Sequence, residues 1–160
     1  MRKLLILLPF TAACASSIDG NWVLSEVDQD ALEETLDESF ENEPTFNGFT
    51  DVDLSMQMSI DEDLGGTIDY ELELRTTYVV EGDTYIAKIT TDANGVLSAE
   101  KSESSYLINV EVEGTNRTEI PDLQVDETED ITDTVKFTIE NCELDGDKLT
   151  CTEWDGSDIT

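Results

Sequence analysis

The sequence predicts an all-β fold: an antiparallel up-and-down β-barrel of about eight strands with one short helix, or alternatively a β-sandwich. Three observations lead there. Val52, Leu54, Met56, Met58 and Ile60 fall at every second position between polar residues, the period of a strand with one dry and one wet face. After the acidic run 61–66, which ends in Gly65-Gly66, the alternation restarts with Ile68, Tyr70, Leu72, Leu74, Thr76, Tyr78 and Val80. The two stretches therefore read as one long hairpin. A hairpin alone is marginal in water, so its apolar face must be covered by further strands or by closing the sheet on itself.

Composition bounds what such a domain can do. The chain has 160 residues, 38% of them hydrophobic, enough for one compact core. Its 39 acidic residues against 8 basic ones leave a net charge of −31, with no basic cluster beyond Arg2-Lys3. Nucleic acid is excluded as a partner because phosphate neutralisation needs basic residues, and the same charge disfavours anionic lipid surfaces. With no histidine in the chain, Ser-His-Asp triads, Cys-His pairs and His-ligated metals are ruled out. Asp61-Glu62-Asp63, Asp145-Gly146-Asp147 and the acidic run 126–130 offer oxygen ligands, yet none follows the spacing of a calcium loop with its distal Glu. No carboxylate pair stands out from so many, so the sequence points to no catalytic residue, no metal site, no cofactor and no enzyme.

The amino terminus carries an address. Met1-Arg2-Lys3 is positive, 4–10 is apolar, and Thr11-Ala12-Ala13 places small residues before Cys14. That order is an export signal, and its apolar run is far below the ~20 residues that span a bilayer. The small residues followed by cysteine resemble the lipobox of bacterial lipoproteins. The resemblance implies cleavage before Cys14 and acyl chains, palmitate among them, on that residue. It divides the chain into a signal peptide (1–13), a lipidated tether (14–17) and a single domain (18–160). Losing Arg2 and Lys3 with the leader takes the net charge from −31 to −33, so attachment to the membrane rests on lipid alone, which several acyl chains can sustain. Ala15 is not the Asp that marks inner-membrane retention in enteric lipoproteins, so the resemblance favours the outer membrane of the cell envelope. The alternative is an ordinary secretory signal cut near Ala13 or Ala15.

The mature chain opens with Gly20, Trp22 and Leu24 in strand alternation. This Gly-x-Trp start resembles lipocalins and the bacterial lipocalin-like lipoproteins. It implies a barrel plugged by Trp22 and a small apolar ligand held between Trp22, Met56, Met58, Tyr70, Leu72 and Tyr78. For each of these residues the competing reading is plain core packing. The competing role is a structural or protein-interaction domain of the envelope with no ligand pocket.

The remaining elements follow in order. Leu32, Leu36 and Phe40 are four apart behind Asp30 and Glu33, a capping box that predicts a helix over 30–40. Residues 41–49 read as loop. Strands are expected over 84–91, 96–101 and 106–112, with a turn at Asp92-Ala93-Asn94-Gly95. The polar run 115–133, containing Pro121, reads as a long exposed loop, and its sequon Asn116-Arg117-Thr118 carries no meaning in a bacterial lipoprotein. Val135, Phe137, Ile139, Cys142 and Leu144 lead to a turn at 145–148. Centring that turn on Gly146-Asp147 sets Leu144 opposite Leu149 and Cys142 opposite Cys151. This spacing suits a disulfide across the hairpin in an oxidising compartment. Trp154 is expected to cap the core before a short tail.

The excess of acid predicts that self-repulsion limits stability, and salt screens it. Thermal unfolding should move to higher temperature as monovalent salt is added. An unchanged midpoint would show that repulsion is not the controlling term.

Overall fold

A computed structural model describes residues 5–9, 17–28, 30, 32–33, 46–145 and 147–155. It is antiparallel β almost throughout. The strands are β1 (Leu5–Pro9), β2 (Gly20–Val27), β3 (Phe46–Ile60), β4 (Gly65–Val80), β5 (Asp83–Ser102), β6 (Ser105–Ile120), β7 (Val125–Asp145), β8 (Lys148–Cys151) and β9 (Glu153–Asp155). Each strand from β1 to β7 pairs with its successor, β7 pairs with β8, and β8 returns to β1. The barrel-like sheet is thus up-and-down, with β9 added on the β7 edge that also pairs with β8.

The predicted hairpin stands at its centre. β3 and β4 pair with Met58 opposite Ile68, Met56 opposite Tyr70 and Leu54 opposite Leu72. These inward residues are buried or half-buried while Asp53, Ser55, Gln57 and Ser59 between them are exposed. The turn is closed by Asp61, whose Oδ1 accepts from the amides of Asp63 at 2.9 Å and Gly65 at 3.0 Å. This local bonding is why Asp favours turns. Leu64 takes the left-handed conformation at φ 66°.

Several expectations are corrected. The Asp92-Ala93-Asn94-Gly95 segment is no turn; it lies inside the continuous 20-residue strand β5. A Cβ on Gly95 would run into the Glu111 carbonyl, and one on Gly114 into the Asp92 carbonyl. Both glycines therefore serve close strand approach, not chain reversal. The run 115–133 is no loop either. Thr115 to Ile120 pair with Val125 to Asp130 around the 3-10 turn Pro121–Leu123, forming a hairpin that is wet on most of its surface. Strand β3 begins at Phe46, inside the expected 41–49 loop, with register shifts on both sides of Phe49. The buried Thr76 hydroxyl donates to the Gly48 carbonyl at 2.9 Å there. In the expected 30–40 helix, Asp30, Leu32 and Glu33 are helical, Leu32 is buried, and its amide bonds the Asp28 carbonyl at 3.0 Å. The rest of that segment lies outside the described residues, as does Cys14.

The last hairpin behaves as its spacing predicts. Leu144 lies opposite Leu149, Asp145 opposite Lys148, and Cys142 and Cys151 form a disulfide. A β-bulge makes this geometry work. In β7 the inward residues run Val135, Phe137, Ile139 and then Cys142, an advance of three. The register slips there, with Ile139 opposite Ile108 and Cys142 opposite Tyr106. Asn141 sits in the slip at φ 51°, a left-handed value that Asn tolerates better than most residues. The extra residue returns Cys142 to the inner face, where it is fully buried beside Leu149 and Cys151.

Two stability measurements test this packing. Reducing the disulfide should cost about 2 kcal/mol in urea unfolding, because the loop it closes is short. Gly114→Val should cost about 1–3 kcal/mol by forcing β5 and β6 apart. A neutral result for the valine variant would mean the strands do not cross closely there.

Candidate functional site

The residues expected to line a ligand cavity fall into two groups. Trp22 lies opposite Met58 across the β2–β3 pairing, and Met56 opposite Tyr70 across β3–β4. Trp22, Met56 and Met58 are 1–2% exposed. The Trp22 indole donates to the Ile18 carbonyl at 2.8 Å, which satisfies the one polar atom of a buried tryptophan and pins it at the end where β3 turns into β4. Leu72 packs half-buried on the same core. Tyr78 does not join them. It is eight residues beyond Tyr70 on β4, about 26 Å at strand rise, and pairs with Phe46 at the opposite end.

The space between the walls is crossed by side chains. Tyr70 of β4 and Phe137 of β7 belong to strands that do not pair, yet their rings meet edge to face with centroids 6.1 Å apart and planes at 79°. This arrangement is favourable for aromatic quadrupoles. Burial pushes the Tyr70 hydroxyl above its ordinary pKa, since the charged phenolate is poorly solvated there.

A cavity of about 290 Å³ lies over the β2–β3–β4 wall. Its lining includes Asn21, Gln57, Ser59, Thr67 and Asp69, all exposed. Trp22, Val23 and Met58 complete the lining, so it is a half-open depression of mixed polar and apolar character. Sequence reasoning passed over the polar residues among them because they occupy the wet positions between the apolar ones. Their only signal was that alternation itself.

The basic residues among those described also lie outside. Lys88 and Arg75 both reach Glu73, at 2.7 and 3.4 Å, and Lys136 reaches Glu111 at 2.6 Å. Arg117 grips Asp126 in a two-pronged bond, 2.9 Å on each arm, within the β6–β7 hairpin. The hydrogen bond from Lys88 holds the Glu73 carboxyl below the usual range, and that from Arg117 does the same for Asp126. Such exposed pairs order the wall more than they stabilise it. Among the described residues no group of three or more Cys, Asp or Glu side chains is placed to hold a metal ion.

Comparison with protein-family profiles, with curated proteins and with solved structures finds no match. Whatever the chain does has to be argued from its own residues.

The Tyr70 environment gives a test with a definite sign. A phenol whose folded pKa is raised stabilises the fold below the free value near 10.0, and this contribution is lost as pH rises toward the folded value. Tyr70→Phe should therefore lose less stability between pH 8 and pH 11 than the unaltered protein does. Equal losses would place Tyr70 in a wetter setting than described.

Proposed function

We propose that this chain is a lipid-anchored protein of the bacterial cell envelope, whose lipocalin-like β domain serves as a structural or protein-interaction module. The observation that carries the interaction role is the Tyr70–Phe137 contact across the interior. With Trp22, Met56 and Met58 buried on the same core, that contact takes up interior space a small apolar ligand would need. Lipocalin-like ligand carriage asks for the reverse, a hollow lined by the same residues.

The anchor reading rests on Arg2-Lys3, the apolar run 4–10 and the small residues before Cys14. The disulfide between Cys142 and Cys151 agrees with an exported chain, because such bonds persist in oxidising compartments. Removal of the leader would leave Cys14 as the one cysteine outside that bond.

A second reading keeps a small apolar ligand, taken up at the end opposite the β3–β4 turn. It is favoured by Val79, Val80 and Ile86 at the tip of the β4–β5 hairpin and Leu123 at the β6–β7 tip, which are 41–56% exposed on an otherwise acidic surface.

Two measurements decide between these readings. Mass spectrometry of the protein from its own membranes should find an acylated amino-terminal peptide beginning at Cys14; an unmodified start elsewhere would remove the anchor. Titration with a fluorescent apolar probe should show no saturable binding, whereas one-to-one saturation would move the proposal to ligand carriage.

A further inference from the structure

The segment expected to act as the export leader also holds a strand position in the full-length chain. β1 lies between β2 and β8, with Leu5 opposite Val27 on one side and Cys151 on the other, and Leu7 opposite Leu24 and Leu149. Among the described strand pairings, Leu24, Glu26 and Val27 pair only with β1, because the β2–β3 ladder covers no more than Gly20 to Val23. Cleavage before Cys14 would take this strand away.

We infer that the processed domain keeps an open slot between β2 and β8, and that the slot accepts an extended apolar segment of about five residues from another polypeptide, paired antiparallel to both edges. The inference rests on the lipoprotein reading proposed above.

Three observations keep the slot open and define its occupant. Adjacent strands sit about 4.8 Å apart, so a missing strand leaves roughly 10 Å between β2 and β8. Closing that gap means shrinking the ring from eight strands to seven. The ring is already filled by Trp22, Ile68, Ile108 and Ile139, each 0–1% exposed, and a close-packed interior resists contraction. Second, the disulfide ties β8 to β7, so the far edge stays in place without β1. Third, Leu24 and Val27 pack on the core and Leu149 and Cys151 are fully buried. The slot is thus flanked by apolar residues that an arriving strand must cover again.

Charge narrows the class of partner. Glu26 stands exposed on the β2 edge, and Glu143 stands exposed on β7, one strand behind the β8 edge and opposite Thr150, in a chain whose net charge without the leader goes from −31 to −33. A second copy of the same chain meets strong repulsion there. An apolar strand with a basic flank is attracted, and the leader itself has this form, with Arg2-Lys3 ahead of its apolar run. Strand addition of this kind takes its affinity from main-chain hydrogen bonds and its selectivity from the alternate side chains.

The test uses the processed protein extracted from its own membranes, with its amino terminus read by mass spectrometry. The probe is a synthetic peptide of residues 2–10. One-to-one binding is expected, with amide exchange in the second half of β2 and in β8 slowed about tenfold or more. The same peptide N-methylated at alternate residues should not bind, since it cannot hydrogen-bond along one edge; equal binding by both would reduce the effect to apolar adsorption and overturn the inference. The inference also fails if β2 and β8 of the processed protein are already as protected as in the unprocessed chain, for then the ring has closed on itself or on a second copy. A terminus at Cys14 without peptide binding defeats the slot alone. A terminus at Met1 defeats the lipoprotein reading and the slot with it.

Discussion

The structure depends on one requirement, that every strand edge in the ring find a partner. A sheet edge is a row of unpaired amide and carbonyl groups, and closing the sheet removes it. In this chain the circuit is completed by two contacts of unequal size. The β6–β7 ladder runs from Tyr106 to Ile120, whereas β1 contributes five residues against β2 and three against β8. The long ladder sets the shape and the short one seals it. The apolar inner face, from Trp22 through Met58 and Ile68 to Ile139 and Leu149, is shared by both sides of the seam. The core can therefore hold its form while pairing is thin from β7 through β8, β1 and β2 to β3, at three to five residue pairs per ladder.

What could be read from the sequence follows from how each segment is buried. β3 and β4 were legible because one face is dry and the other wet, and period-two alternation reports that difference directly. The expected pairing of Cys142 with Cys151 was legible from symmetry about a two-residue turn. The β6–β7 hairpin beyond Gly114 was not, because residues such as Asn116, Arg117, Glu127 and Glu129 are exposed and leave no apolar period to read. Asn94-Gly95 misled for a different reason: this dipeptide commonly reverses a chain, but here Gly95 leaves room for the β6 backbone. The leader shows no alternation at all, so nothing in 4–10 announced a strand. Of the candidate site, the contiguity of Trp22, Met56, Met58 and Tyr70 was legible, while the separate position of Tyr78 came from strand length alone.

The acidity is arranged by the same alternation. Carboxylates occupy the outward positions Asp53, Asp69, Glu71, Glu111 and Glu113, each beside an inward apolar neighbour, so the charge is spread over the wall, and among the described residues no charged side chain is buried in the core. The basic residues are spent locally. Lys88 and Arg75 share Glu73, and Arg117 spans Glu119 and Asp126. Lys88–Glu73 and Arg117–Asp126 bridge neighbouring strands of the outer wall, where like charges face one another at the shortest range, whereas Arg75–Glu73 and Arg117–Glu119 run along one strand.

Placement of the anchor follows from the ends of the strands. In the arrangement proposed above, four tether residues reach about 14 Å at most before the chain enters at Ile18 and Gly20, at the end where Trp22 is pinned. The turns at that end carry Asp61, Glu62 and Asp63, then Glu103, then Asp145 and Asp147, a ring of acid that anionic headgroups repel. In that arrangement the domain would be held close to the membrane without lying on it, with the long β4–β5 and β6–β7 hairpins pointing away. The seam between β2 and β8 runs from the tethered end toward the free end. In that arrangement a strand arriving from the membrane side would meet the open edges of β2 and β8 first, and the opposite end with its exposed Val80 and Ile86 would remain free for a different contact.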